Sequence, residues 1–163
     1  MAFVDKNRRG WKIVFFFYLL LIIKFVVFKY PPQELREIMA GWEKEVILEG
    51  LSTANFTPGK SIKMYIKYFD LFPFWNGIAN LYGNLLAFIP LGILFPLSCK
   101  PKRIKTTTFF FSLAFVIAVE LFQLVSAFGI FDVDDILLNV FGAMLGCVIY
   151  TMLVTVQPCD KKM

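Results

Sequence analysis

The sequence predicts an all-α integral membrane protein, a bundle of four transmembrane helices with an amphipathic extracytoplasmic segment between helices 1 and 2. Of its 163 residues, 58% are hydrophobic and 20 are Phe, and the mean hydropathy of +0.68 is too high for a soluble protein of this length. The basic residues form short clusters between apolar runs, which favours a role in membrane orientation over nucleic-acid binding. The chain has no His and no CxxC spacing, which excludes His-based triads and typical zinc sites.

Four apolar runs are each long enough to cross a bilayer core, which takes about 20 residues of helix. They span residues 11–28, 74–97, 107–128 and 133–156. The first run follows basic residues, as a signal peptide would, but no small-residue cleavage site follows it. We therefore expect a retained helix, and one membrane domain over residues 1–163.

Basic residues predict the orientation of this bundle. With four spans, the three main clusters lie on one side of the membrane, which is expected to be the cytoplasm, together with both termini. The clusters are Lys6, Arg8, Arg9 and Lys12; Lys100, Lys102, Arg103 and Lys105; and Lys161 and Lys162. The loop over residues 30–72 also contains basic residues, offset by acids.

That loop is predicted to be an interfacial segment with two amphipathic stretches. Apolar residues recur at helical spacing from Leu35 to Val46 and again from Ile62 to Phe69, where three Lys residues form a basic stripe. Such helices either lie on the membrane surface, near anionic headgroups, or pack against the bundle. The sequence Asn55-Phe56-Thr57 matches a glycosylation pattern that is too short to be informative.

Polar residues recur at helical spacing in three of the runs. They are Asn76, Asn80 and Asn84 in the second run, Glu120 and Gln123 in the third, and Asp132, Asp135, Asn139, Gly142 and Gly146 at the start of the fourth. Each set shares one helix face. Because neighbouring helices alternate in direction, all three sets are expected in the outer half of the membrane.

These residues could pack the helices together or form a site. Interhelical hydrogen bonds average about 0.6 kcal/mol each, and Gly142 and Gly146 fit a helix-packing motif. Several carboxylates at one end of a bundle exceed what packing requires, and ionisable groups in spans usually face a partner. The predicted outward-facing polar pocket consists of Asn80, Asn84, Glu120, Gln123, Asp132, Asp135 and Asn139.

The same residues resemble the VanZ-like family. The resemblance rests on NLYGNLLAFIPLG at residues 80–92, ELFQ at 120–123 and FDVDDILLNVFGAMLG at 131–146. Many relatives have an Arg shortly before the acidic cluster, and this chain has none there. The resemblance implies an association with low-level teicoplanin resistance and supplies no catalytic residues.

Three functions fit these observations. The favoured one is a non-enzymatic envelope protein that needs no cofactor and acts on a lipoglycopeptide or a lipid-linked precursor in the bilayer. The second is a membrane enzyme for a lipid-linked or headgroup substrate, with Glu120 or Asp135 as general base or as a ligand of Mg²⁺ or Mn²⁺. The third is an ion or small-solute carrier, which four spans without an internal repeat would support only as an oligomer.

Overall fold

A computed structural model describes residues 7–27, 31–67 and 74–156. The described residues form seven helices: α1 Arg8–Val27, α2 Pro32–Ala40, α3 Lys44–Thr53, α4 Lys60–Lys67, α5 Phe74–Cys99, α6 Ile104–Ser126 and α7 Val133–Val156. The one β-type pairing among them is an isolated parallel bridge between Asn55 and Asp132. The prediction of an all-helical protein is confirmed.

Three of these helices have the length and apolar composition needed to cross a membrane. The qualifying segments are Leu81–Cys99, Ile104–Ser126 and Val133–Thr155, within α5, α6 and α7. The first predicted run does form a helix, α1, but α1 carries four basic residues among its 20 and is not one of the three. The fourth span therefore stays a prediction.

The surface of the bundle is apolar. Large hydrophobic side chains on α1, α6 and α7 are more than half exposed, among them Phe17, Phe110, Phe141 and Met152. Soluble monomers rarely expose contiguous apolar surface on this scale, whereas lipid-facing helices do so along their whole length. The exposed residues and the helix lengths together indicate a protein embedded in a lipid bilayer.

The core lies where α1, α5, α6 and α7 meet. Phe88 and Leu91 of α5 and Val116 of α6 are fully buried, and Phe95 stacks on Phe111 with ring centroids 4.3 Å apart. Aromatic pairs of this kind stabilise by about 0.5–1.5 kcal/mol beyond the area they bury. The many Phe residues thus pack the interior as well as covering the lipid-facing surface.

Helices α5 and α7 run parallel with their backbones in contact. A Cβ atom added to Gly142 would overlap the carbonyl oxygen of Leu85, and one added to Gly146 would overlap that of Ile89. Gly92 of α5 makes the reciprocal approach to the backbone of α7. Only residues without a side chain allow this contact, so these glycines fix the register of the two helices.

Helix α5 is continuous from Phe74 to Cys99 although Pro90 and Pro96 lie inside it. It ends at a turn in which Lys100 has a positive φ of 46°. The start of α1 lies beside this turn, because the Ser98 hydroxyl donates to the carbonyl of Trp11 over 3.0 Å. The basic residues that begin α1 and those that join α5 to α6 therefore share one end of the bundle.

The first amphipathic stretch of the loop is interrupted, which corrects the prediction of one continuous surface helix. Helix α2 ends at Ala40, and the N–H of Gly41 caps it by donating to the carbonyl of Glu37 over 3.0 Å. Glycine has a low helix propensity, which favours the end of a helix at this position. We call α2 and α3 together, residues 32–53, the arm. The second stretch forms α4, and Phe69 lies outside the described residues.

Candidate functional site

Glu120 and Asp132 meet at the turn between α6 and α7. Ala127 ends α6 in the left-handed conformation, with φ of 60°, and the chain turns back so that the two helices run antiparallel. The N–H of Asp132 then donates to Oε2 of Glu120 over 3.2 Å. We call this the α6–α7 end of the bundle, opposite the basic end.

Helix α5 adds an amide to the same end. Nδ2 of Asn84 donates to Oδ1 of Asp135 over 2.6 Å. Residues from all three predicted polar stripes therefore lie together: Asn84 from α5, Glu120 from α6, Asp135 from α7 and Asp132 directly before α7. We call these residues, with Gln123 and Asn139, the polar cluster. The side chain of Asn80 lies outside the described part of the chain.

A short segment of the loop covers this cluster. We call residues 54–62 the cap segment. Asn55 donates from Nδ2 to Oδ1 of Asp132 over 2.8 Å, and the Ser61 hydroxyl donates to Oδ2 over 2.5 Å. The backbone of Asn55 also pairs with the two residues that flank Asp132, accepting from the N–H of Val133 and donating to the carbonyl of Phe131. Both carboxylate oxygens of Asp132 thus bind the cap segment.

Asp134 holds the start of α4. Its carboxylate accepts backbone N–H groups from Gly59 at 2.5 Å, Ser61 at 2.8 Å and Ile62 at 3.2 Å. The first N–H groups of a helix lack intrahelical partners and favour negative charge nearby. Asp134, which is only 1% exposed, therefore acts as an N-cap supplied by another helix.

Sequence reasoning did not assign a site role to Asp134, Asn55 or Ser61. Asn55 belongs to the glycosylation-like pattern, yet its side chain is buried and hydrogen-bonded to Asp132 and Ser61. One usable signal was present: Pro58-Gly59 precedes α4 and offers no side chain to cap it. A helix that begins in this way needs acceptors from elsewhere.

The remaining members of the cluster are deeply buried. Glu120 is 1% exposed and Gln123 is 5% exposed. Gly129 makes room for Gln123, because a Cβ there would lie 3.0 Å from its Nε2. A buried carboxylate within a membrane-length helix costs free energy unless it has partners, and the N–H of Asp132 is one partner of Glu120.

Asn139 stands apart from the rest of the cluster. It is 1% exposed, and within the described structure neither Nδ2 nor Oδ1 has a hydrogen-bond partner. It lies one turn along α7 from Asp135, on the same face. An amide buried without partners costs about 2–7 kcal/mol, depending on the reference state. Helix packing alone does not explain why such a group is present.

The cavity at this end of the bundle is not lined by the polar cluster. It has a volume of about 490 Å³ and is bordered by side chains of the arm and of the end of α6. Its lining consists of Leu35, Met39, Trp42, Phe122, Ser126 and Phe128. The polar cluster lies beneath the cap segment instead, so the outward-facing polar pocket remains a prediction.

The chemistry that this arrangement supports is hydrogen bonding by carboxylates and amides. Among the described residues, no three His, Cys, Asp or Glu side chains are grouped so that they could hold a metal ion. The Mg²⁺ or Mn²⁺ site of the enzymatic alternative, built on Glu120 or Asp135, remains a prediction.

The family comparison agrees with the polar motifs. The VanZ/LLP1 family model matches residues 15–154, a range that includes α5, α6, the cap segment and all but the last two residues of α7. No curated protein and no solved structure matches the chain. The family match covers well over half of the sequence, and the chain therefore belongs to the VanZ/LLP1 family.

Proposed function

We propose that this protein is a VanZ-like envelope membrane protein whose polar cluster binds a polar ligand at the extracytoplasmic surface and thereby gives low-level tolerance to teicoplanin. The ligand is a hydrogen-bonding group of a lipid-linked envelope precursor or of the lipoglycopeptide itself. Family membership supports the envelope role, and the resemblance of the motifs motivates the link to teicoplanin.

The observation that carries the proposal is the unpaired amide of Asn139. Buried polar groups in folded proteins are nearly always hydrogen-bonded, so an exception calls for an explanation. The amide lies one turn from Asp135, which already binds Asn84. A ligand that presents one donor and one acceptor would satisfy both atoms of Asn139 and would extend this hydrogen-bonded network.

The distribution of charge supports the orientation. The basic residues Arg8, Arg9, Lys102 and Arg103 lie at the end of the bundle where α1 begins and α5 meets α6. Basic residues are enriched on the cytoplasmic side of membrane proteins. The polar cluster is at the opposite end, which would face outward, where glycopeptides act.

The proposal is tested in a susceptible Gram-positive host that expresses the wild-type protein or Asn139→Leu. The wild type is expected to raise the minimal inhibitory concentration of teicoplanin and not that of vancomycin. Asn139→Leu is expected to abolish this effect while raising the free energy of unfolding in detergent by about 1–3 kcal/mol, because it removes an unsatisfied buried amide. Together, these results would separate a binding role from a structural one.

The matched control is Leu137→Ala, two residues away on α7 at a position that is 49% exposed. It should retain tolerance and reach the same membrane level by immunoblot. Full tolerance in the Asn139→Leu variant at equal expression would overturn the proposal for this site, and no selective tolerance in the wild type would overturn the link to teicoplanin.

The burial of Glu120 favours one second candidate, a membrane enzyme that acts on a lipid-linked or headgroup substrate. Carboxylates buried beside other polar groups are often functional. Turnover of such lipids in proteoliposomes that depends on a divalent cation, and that is lost in Glu120→Gln and Asp135→Asn, would support this function. Unchanged turnover in both variants would remove this assignment of the site.

A further inference from the structure

The apolar cavity between the arm and α6 is a second feature of the α6–α7 end. We infer that it binds one acyl chain of a zwitterionic phospholipid from the leaflet at this end of the bundle. This lipid site is separate from the polar cluster, because its lining residues belong to the arm, to the end of α6 and to the turn that follows. Its test therefore does not depend on the function proposed for Asn139.

Specific contacts fix the positions of the two walls of the cavity, which are the arm and the end of α6. Nε1 of Trp42, between α2 and α3, donates to the carbonyl of Val125 over 2.8 Å, which ties the arm to the end of α6. Leu35 and Ile38 pack against the buried pair Val119 and Phe128. The arm is thus anchored on either side of the open volume, which makes the cavity a built feature of the fold.

The lining selects an apolar ligand. Five of its six residues are apolar or aromatic, and the sixth, Ser126, uses its hydroxyl to bind the carbonyl of Phe122 over 2.6 Å. A ligand in the cavity is therefore held by apolar contact rather than by hydrogen bonds. The volume of about 490 Å³ lies within the range typical of small-molecule sites and suits part of a hydrocarbon chain.

The cavity is continuous with the surface that faces lipid. Leu121, Phe122 and Val125 lie at the same end of α6 and are each about half exposed. Helix α6 has membrane-spanning length and hydropathy, so its exposed apolar side chains contact acyl chains. Phe122 belongs both to this face and to the cavity lining, so a chain from the adjacent leaflet enters the cavity without crossing water.

Charge on the arm selects the headgroup. Residues 32–53 contain five Glu, one Arg and one Lys, which gives this segment a net charge of −3. The five Glu residues are all exposed. An anionic headgroup above the cavity would be repelled by these carboxylates, whereas a zwitterionic headgroup offers them an ammonium group. Charge complementarity therefore favours a zwitterionic lipid.

The experiment is native mass spectrometry of the full-length protein, extracted from bilayers that contain equal amounts of phosphatidylethanolamine and phosphatidylglycerol with identical chains. Ser126→Phe fills the cavity from α6. Met39→Trp fills it from the arm: because Met39 lines the cavity and is 67% exposed, the larger side chain fits into the open volume without displacing buried residues. Leu153→Phe, at the opposite end of α7 and 60% exposed, places the same Phe side chain outside the cavity and is the control.

We expect the wild type and Leu153→Phe to retain one more phosphatidylethanolamine per chain than either filled variant. Comparison with the filled variants identifies the lipid in the cavity and cancels any lipid held elsewhere, for example by the basic α4. Equal lipid counts in all four proteins would overturn the site. Loss of phosphatidylglycerol in its place would overturn the assignment of the headgroup.

Trp42 provides an independent readout, because it lines the cavity and the chain has only two other Trp residues, Trp11 and Trp75. In a Trp11→Phe, Trp75→Phe background, phospholipids with brominated acyl chains should quench the fluorescence of Trp42. Ser126→Phe should reduce this quenching, since it displaces the chain. Quenching that is unchanged by Ser126→Phe would show that Trp42 contacts only bulk lipid and would overturn the inference.

Discussion

The arm and the cap segment belong to the same loop, yet they attach to the bundle by different physical means. Among the described residues, the arm relies on apolar packing and on one side-chain hydrogen bond to the bundle, from Trp42 to the carbonyl of Val125. The cap segment and the start of α4 are bound by hydrogen bonds to two carboxylates, those of Asp132 and of the buried Asp134. Apolar contact tolerates sliding and exchange, whereas charge-assisted hydrogen bonds require fixed geometry.

The two regions also differ in charge. The arm has a net charge of −3, whereas residues 54–67 contain three Lys and no acid, for a net charge of +3. One loop therefore presents an acidic surface next to an apolar cavity and a basic surface next to the polar cluster. The difference indicates that the two parts meet different chemical groups at the membrane surface.

The largest effect is expected from Asp134→Ala, which tests whether carboxylates hold the cap segment. The change leaves three backbone N–H groups at the start of α4 without their acceptor, at a cost of about 2–4 kcal/mol. Hydrogen exchange should accelerate at Gly59, Ser61 and Ile62, with a lower midpoint of thermal unfolding in detergent. Unchanged exchange at these amides would contradict the capping role.

A smaller loss is expected from Asn55→Ala, which removes one of the two side-chain donors to Asp132. The free energy of unfolding is expected to fall by about 1–3 kcal/mol. The loss is limited because the carboxylate of Asp132 retains the hydrogen bond from Ser61. Limited proteolysis of the loop should show earlier cleavage near the cap segment and no change in the arm. Cleavage that increases equally in both regions would show that they do not attach independently.

The smallest effect is expected in the arm, from Trp42→Phe. This variant keeps the aromatic ring in the cavity wall and loses one hydrogen bond, at a cost of about 0.5–1.5 kcal/mol. Thermal unfolding in detergent measures the change, and Glu34→Gln on the exposed face of α2 serves as the neutral control. A loss as large as that of Asp134→Ala would mean that the arm is held as rigidly as the cap segment.

The transmembrane architecture was largely predictable because it depends on local properties. Apolar runs give helices of membrane length, and spacing of three and four residues places Asn84, Glu120 and Asp135 on helix faces that then meet. The break at Gly41 was not predicted. The apolar spacing from Leu35 onward continues past Gly41 and suggested one helix, although glycine often ends helices.

The cap segment could not be predicted, because it depends on contacts between residues far apart in the sequence. Asn55 and Asp132 are separated by 77 positions, and no periodic pattern relates them. The state of Asn139 was equally inaccessible: its place on the polar face followed from spacing, whereas the lack of a partner is visible only when the surrounding side chains are positioned. The helices thus follow from local sequence, whereas the details of the site depend on contacts between distant residues.

The backbone contact between α5 and α7 limits how the polar cluster can open. Carbonyl groups of Leu85 and Ile89 rest against Gly142 and Gly146, so sliding of one helix along the other would drive each carbonyl into a neighbouring side chain. The pair therefore behaves as one rigid unit, so we expect α6 and the cap segment, rather than α5, to move when a ligand reaches Asn139. The lifetime of the hydrogen bonds to Asp132 and Asp134 would then limit the rate at which a ligand at Asn139 exchanges.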